Sequence, residues 1–425
     1  MKRRICLSLA LTVVLYALPA LPVTFSDFSG VNGVTSDTFL RQMGVSVVRF
    51  DISWRDIERI PGVYDWAATD RKVQALHQSG FQILPLLAYT PAWNRLIAGS
   101  TGSPPIDYSA WLRFVRAAVQ RYGSPPWDLV YFQIWNEPTR RASFWLGSND
   151  EFISRIYIPA ARIIRAAGKK VVFGGWPASN TISEFDRLLT QSGAVHYTDI
   201  LDFHYGGETR YNLLYDRYIR TGLVQGIWQT EVGYITEPQG VLQVWLHNLH
   251  WSLTHQWQRA DQYKIFWYPA WESRKARYHG LTTTVGRQIV LTDKGRQLRL
   301  LNRIYGNGNL SSAQVDSNIE PLPQEKQFFF GTTAGDDRII IAVSLSAGCP
   351  GGRCKFIIKT HRVPRFVRLI VPDYVPVDLK FTRTKSEIHV ELLGGGYSRR
   401  KRNSSESIFY KDVSELNSFL SLIHI

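Results

Sequence analysis

Cysteine is almost missing from this chain, with three in 425 residues. Cys6 lies in an N-terminal apolar run, and only Cys349 and Cys354, in "CPGGRC", stand beyond it. A zinc site on that pair lacks ligands, since His361 is the only histidine nearby. No HExxH spacing and no cluster of Asp occurs elsewhere, which weighs against metal-assisted hydrolysis, and no cofactor is expected. Uninterrupted apolar runs fall short of the roughly 18 to 20 residues that span a bilayer. No single strand or helix interleaves basic and aromatic residues as a nucleic-acid surface does, so nucleic acid is not an expected partner.

What is present begins with "MKRRICLSLALTVVLYALPALP". A basic head at Lys2, Arg3 and Arg4, an apolar run from Ile5 to Leu18, and small residues or proline after it predict a signal peptide over residues 1–22. The alternative is an uncleaved anchor. Removal of this segment places the protein in a secreted or periplasmic setting, where two cysteines bracketing a Pro-Gly-Gly turn predict one local disulfide, Cys349–Cys354. Free thiols are the other reading. The formal charge is +15, but three basic residues belong to the N-terminal head and four to "RRKR" at 399–402; without those seven the excess is +8. That balance fits an anionic glycan or cell-surface partner and fits plain solubility equally well.

Between residues 27 and 305 short apolar runs alternate with longer amphipathic segments. The eight runs are "FSGVNGV", "VSVVRF", "FQILPLLAY", "DLVYFQIW", "KVVFGGW", "DILDFHY", "LVQGIWQT" and "QYKIFWY". Helical patterns between them include "YSAWLRFVRAAVQRYG", "DEFISRIYIPAARIIRAAG" and "VLQVWLHNLHWSLTHQWQ", and "DKGRQLRLLNRIYG" ends at a glycine C-cap. Eight strand–helix units predict an α/β fold, a (β/α)8 TIM barrel over residues 23–306, whose chemistry gathers on loops after the strands' C-terminal ends. From 307 to 397 only alternating strand patterns follow, such as "RIIIAVSLS" and "EIHVELL", which predict a C-terminal antiparallel β-sandwich domain. Residues 398–425 form a basic, Ser-rich tail expected to be disordered.

Few ionisable residues fall at the strand ends: Arg49 after the second run, Glu137 after the fourth, His204 after the sixth and Glu231 after the seventh. Asp51, Glu208 and Glu272 lie slightly further on. A barrel brings these ends to one cavity. Two carboxyl groups facing one cavity are the minimum apparatus for glycoside hydrolysis: one protonates the leaving oxygen while the other attacks the anomeric carbon or activates water.

The patterns "WNEP" at the fourth strand, "QTEVGY" at the seventh, "VVRFDISW" at the second and "DFHYGG" at the sixth resemble the large clan of retaining glycoside hydrolases built on (β/α)8 barrels. Within it, "YFQIWNEPTRRASFW" and "YTPAWN" are most similar to glycoside hydrolase family 39, the family of β-xylosidases, α-L-iduronidases and some exopolysaccharide hydrolases, with families 5 and 51 nearest after it. The resemblance implies an exported retaining hydrolase of an oligo- or polysaccharide, possible anionic sugars included, that works by double displacement. Glu137 would be the acid/base and Glu231 the nucleophile. Asn136 would bond the sugar 2-hydroxyl, and Arg49 would hold the nucleophile ionised.

Bland readings stand beside these. Arg49 could bridge Asp51 or Asp56, His204 could be a core histidine, and Glu272 competes with Glu231. The clan separates its His and Tyr by one residue, whereas His204 and Tyr205 are adjacent; neighbours on a strand point to opposite faces, so both reach the cavity only if the strand has already ended. Tyr234 is the alternative source of that hydroxyl. Trp93, Trp267 and Trp271 are candidate sugar-stacking platforms, of which Trp93 and Trp267 are taken as substrate-binding, although with 14 Trp in the chain packing is the commoner role for any one of them. Functional rivals are a non-catalytic glycan-binding protein on the same barrel and a transglycosylase using the same carboxylates.

Overall fold

The computed structural model describes residues 23–313, apart from 236–239 and 274–277, together with shorter segments from 315 onward. Each of the eight apolar runs contains one parallel strand: β1 (Ser29–Asn32), β2 (Val47–Ser53), β3 (Gln82–Ala88), β4 (Tyr131–Ile134), β5 (Lys170–Val172), β6 (Ile200–His204), β7 (Gly226–Gly233) and β8 (Tyr263–Tyr268). They pair in sequence order, and β1 closes on β8 with Gly30 opposite Phe266. The fold is the (β/α)8 barrel that the alternation predicts.

Period two along the strands builds the barrel interior in layers. Val47, Leu84, Tyr131, Val172, Ile200, Trp228 and Phe266 form one apolar floor from seven strands. The remaining strand, β1, gives Gly30, where a Cβ would stand 2.6 Å from the Phe266 ring, so the ring takes the place a side chain would fill. Two residues further along, the same faces carry Arg49, Gln133, Asp202 and Thr230, all buried. The floor therefore dries the base of a polar layer, and that layer carries the site.

Helices seal the outside. Tyr108–Tyr122 starts at Asp107, whose side chain accepts from the Ser109 N–H, and buries Trp111, Phe114, Val115, Ala118 and Tyr122 as one stripe. The pattern at 150–168 is helical from Asn149 to Ala166 with a wider π turn over Phe152–Tyr157. Gly240–Thr254 and Asp293–Tyr305 complete the pattern, and the latter stops at Gly306 with φ +57°. A hairpin of Thr282–Val285 and Gln288–Leu291, turning at Gly286, follows β8. Its signal was a β-branched run on either side of one glycine. Among the described residues no helix is long and apolar enough to cross a membrane.

Beyond the barrel and its hairpin the described strands are antiparallel, in one sheet of six strands, one of four and one of two. The sandwich expected of them depends on side chains outside the described residues, as do the signal segment 1–22 and the Cys349–Cys354 disulfide. The tail 398–425, expected to be disordered, contains strands among its described residues. Tyr397–Arg400 pairs with Ser407–Tyr410, and Leu420–His424 lies between Ile339–Ser344 and Val367–Ile370 in the larger sheet. The alternation in "FLSLIHI" has the strand period, which the basic residues before it obscure.

Candidate active site

A cavity of about 570 Å³ opens at the C-terminal ends of the strands, with Arg49, Asn136, Glu137, Tyr205, Glu231 and Tyr234 among its walls. Glu231 is the most heavily tied of these. Its Oε1 accepts from Arg49 Nη1 at 2.6 Å and Asn32 Nδ2 at 3.0 Å, and its Oε2 accepts from the Tyr205 hydroxyl at 3.1 Å. Burial alone would raise this carboxyl's pKa, yet the charges of His204 and Arg49 and the bonds from Arg49 and Tyr205 outweigh it and hold it below the ordinary value. Glu231 is an anion made stable before any substrate arrives.

Strict alternation would turn Glu231 outward, because Thr230 already faces the barrel axis. The register between β7 and β8 shifts between Gln229 and Val232, and that irregularity lets both Thr230 and Glu231 point inward. Backbone conformation solves the parallel problem on β6. The strand ends at His204, and Tyr205 takes φ +49°, so both side chains turn toward the two carboxyl groups, His204 to Glu137 and Tyr205 to Glu231. Tyr205, not Tyr234, reaches Glu231. Tyr234 is 44% exposed on the rim, against the rings of Tyr205 and Tyr268. Tyr89, Trp135, Glu137, Tyr205 and Tyr234 are all non-glycine residues at positive φ, each at or just beyond a strand's C-terminal end. Such strain is held only where packing enforces it.

Glu137 is tied from the other side. Its Oε1 lies 2.9 Å from His204 Nδ1, while His204 Nε2 lies 3.1 Å from the Thr230 hydroxyl, which donates to Asp202 at 2.6 Å. The ring fits because residue 175 is glycine: a Cβ there would stand 2.1 Å from His204 Nε2. Burial pulls the imidazole pKa down, but the charge of Glu231 and the bonds to Asp202 and Glu137 push it up to about 9. His204 is thus a cation at neutral pH that donates from both nitrogens, to Glu137 and toward Thr230 and Asp202.

Arg49 completes the layer. Nε donates to Gln133 at 2.6 Å, Nη1 to Glu231 and Nη2 to the Asn136 side-chain oxygen at 2.6 Å, so each of its three nitrogens donates to protein and none bridges Asp51 or Asp56. Asp56 pairs with Arg55 instead. Asn136 thereby turns its amide nitrogen away from Arg49. Gln133, Asp202, Thr230 and Asn32 were missed by a search for charge at strand ends; their signal was position, two residues above the barrel floor.

The expected stacking tryptophans are not brought to this cavity. Trp267 is fully buried, donates to the His279 carbonyl and packs on Trp245 outside the barrel wall. Trp93 packs edge-on against Trp54 and donates to the Glu58 carbonyl. Tyr89, Phe144, Tyr234 and Tyr268 supply the aromatic wall in their place, and Glu272 is not part of that wall. A wider groove of about 830 Å³ runs along the barrel flank, but Glu151 there is tied to the Tyr108 hydroxyl and to its helix cap.

One atom each of Glu137, His204 and Glu231 lies within 4.8 Å of the others, close enough to hold a metal ion. A guanidinium 2.6 Å from Glu231 and a cationic His204 oppose one there.

The charged histidine makes a stability prediction. A group whose pKa is raised on folding stabilises most below its unfolded value and loses that contribution as pH rises through the folded value. Parent protein should lose up to about 3 kcal/mol relative to His204→Gln between pH 6.5 and 9, from the raised imidazole. Lys264, whose amine burial pulls down to about 8, acts in the opposite sense above that pH in both proteins and cancels in the difference. Urea unfolding of both across this range is the check; parallel curves would contradict a charged His204.

No family model matches the chain. A curated β-xylosidase from Caldicellulosiruptor saccharolyticus is 30% identical over 98 residues, which are 21% of this chain and 20% of that protein's length. Among solved structures, a GH30 endoxylanase from Clostridium papyrosolvens C71 superposes with a TM-score of 0.61 at 13% identity, over 95% of this chain and 97% of its own. A family 39 glycoside hydrolase from Bacteroides cellulosilyticus WH2 gives 0.58 at 13% identity, over 94% and 82%. The barrel fold is theirs. Likeness at this identity concerns the fold, and the chemistry rests on the cavity itself.

Proposed function

We propose that this protein is an exported retaining glycoside hydrolase in which Glu231 attacks the anomeric carbon and Glu137 protonates the leaving oxygen, then activates water. The observation that carries it is the approach of the two carboxyl groups across one cavity, within 4.8 Å at their nearest atoms, in unlike surroundings. Retaining pairs stand roughly 5 to 5.5 Å apart, and inverting pairs leave room for a water at roughly 6.5 to 9.5 Å. Glu231 accepts three hydrogen bonds and stays ionised, as a nucleophile must. Glu137 keeps an edge toward solvent and one bond to His204, as a group exchanging protons with leaving group and water must. The tyrosine hydroxyl on Glu231 stays protonated, because burial and the adjacent charge raise its pKa. The amide nitrogen of Asn136 is the donor for the sugar 2-hydroxyl. Export rests on the N-terminal basic and apolar segment.

The β-xylosidase and endoxylanase likenesses make β-xylosides the first substrates to try. A panel of aryl glycosides and polysaccharides, uronic-acid polymers included, followed by proton NMR, should show release of a sugar whose first-formed anomer matches the substrate. An inverted first product would contradict double displacement.

A further inference from the structure

Asp51 has no place in the scheme above, yet it stands in the same cavity. On β2 the inward positions are Val47 in the floor, Arg49 in the polar layer and Asp51 at the mouth, each two residues after the last. Asp51 is exposed to the cavity, whereas the residues on either side of it, Phe50 and Ile52, are buried. Its carboxylate has no hydrogen-bond or ion-pair partner among the described residues. Arg49, the nearest large charge along the strand, uses each of its three nitrogens on Gln133, Glu231 and Asn136. Lys72 reaches the rim from the helix Ala67–Gln78 without closing an ion pair. Crowding in the cavity raises the Asp51 pKa even with Arg49 nearby, and Glu231 adds to the effect. An exposed acceptor on the cavity wall that no protein group engages can accept from a bound ligand.

We infer that Asp51 is a specificity-determining residue for the sugar bound against Glu231, accepting hydrogen bonds from its hydroxyl groups and selecting a neutral glycone over a uronide. This rests on the proposed hydrolase reading and deepens it. Charged acceptors bind hydroxyls more strongly than neutral ones, and a site built to accept them discriminates against groups that cannot donate. A sugar carboxylate at this edge would be repelled by Asp51, and the cations that line the cavity are Arg49, whose three nitrogens already bond Gln133, Glu231 and Asn136, and Lys72 on the rim.

The test compares aryl β-xyloside with aryl β-glucuronide bearing the same leaving group, for the parent, Asp51→Asn and Lys72→Gln. The parent should favour the xyloside. Asp51→Asn should lose about 10- to 100-fold in kcat/KM on the xyloside while holding or gaining on the glucuronide, so that the ratio between them collapses. A merely structural role would lower both together. Lys72→Gln, which removes a cation from the rim, should hold or raise the ratio of xyloside to glucuronide. In parallel, xylose should inhibit the parent more strongly than glucuronate, a measurement that needs no variant to fold. A parent preferring the glucuronide, with that preference lost in Lys72→Gln, overturns the inference, as does an Asp51→Asn ratio equal to the parent's. Cleavage of other glycosides without such discrimination leaves the hydrolase reading standing and removes only Asp51. Cleavage of no glycoside at all overturns both.

Discussion

Glu231→Ala is expected to abolish turnover on every glycoside that the parent cleaves, by about 10⁴-fold or more, regardless of leaving group. The nucleophile forms the bond that replaces the glycosidic one, and Glu137, the carboxyl within 4.8 Å of it, already serves as acid and base. The same change removes the acceptor of three hydrogen bonds and leaves the buried Arg49 without its anion. Loss of activity must therefore be read against folding. Glu231→Gln keeps the shape and two acceptor contacts, so a folded but inactive Gln variant separates chemistry from stability. Residual hydrolysis within tenfold of the parent in either folded variant would mean that Glu231 is not the attacking group.

Glu137→Ala should behave differently with each leaving group. A dinitrophenolate departs without a proton, so formation of the glycosyl-enzyme should survive on activated substrates, while unactivated ones should lose about 10² to 10⁴-fold. Water then lacks a base, and the covalent intermediate should accumulate as a burst followed by a slow steady state. Azide attacks without base help and fits the space left by the side chain. It should restore turnover and yield a glycosyl azide of the substrate's own anomeric configuration, since two displacements cancel. Azide rescue with an inverted product, or an equal loss on activated and unactivated substrates, would remove Glu137 from the acid/base role.

Much of this arrangement was legible because barrel geometry converts sequence position into place. An apolar run ending in a charged residue points toward a strand's mouth, and Arg49, Glu137, His204 and Glu231 were found that way, although Arg49 and Glu231 lie inside β2 and β7 and not after them; Asn136 came with the family resemblance. Period two then extends the reading to residues that a charge search passes over. Asp202 and Thr230 sit one layer above Ile200 and Trp228 and were visible by counting alone. What alternation could not give was the irregular backbone. Thr230 and Glu231 both face inward only through the shifted register of β7, and Tyr205 joins His204 only through a left-handed turn. Both depend on packing between strands distant in sequence. Tryptophans were misread for the opposite reason. Aromatic rings near strand ends suggest sugar platforms, but Trp267 lies on the outward face of β8, where the covering helix with Trp245 takes it into the core.

The central claim is a covalent bond to Glu231, and it can be seen directly. A 2-deoxy-2-fluoro glycoside with a dinitrophenyl leaving group, in the sugar configuration that the parent cleaves, slows both displacements while the good leaving group sustains the first. Intact-mass spectrometry of the parent protein should then show one added fluoroglycosyl group, and peptide mapping should place it on Glu231, in the segment "QTEVGY". Glu231→Gln should acquire no label, and Glu137→Ala should still acquire it. A label on Glu137 or on Glu272, or no label on a parent that turns over the unfluorinated substrate, would contradict the account.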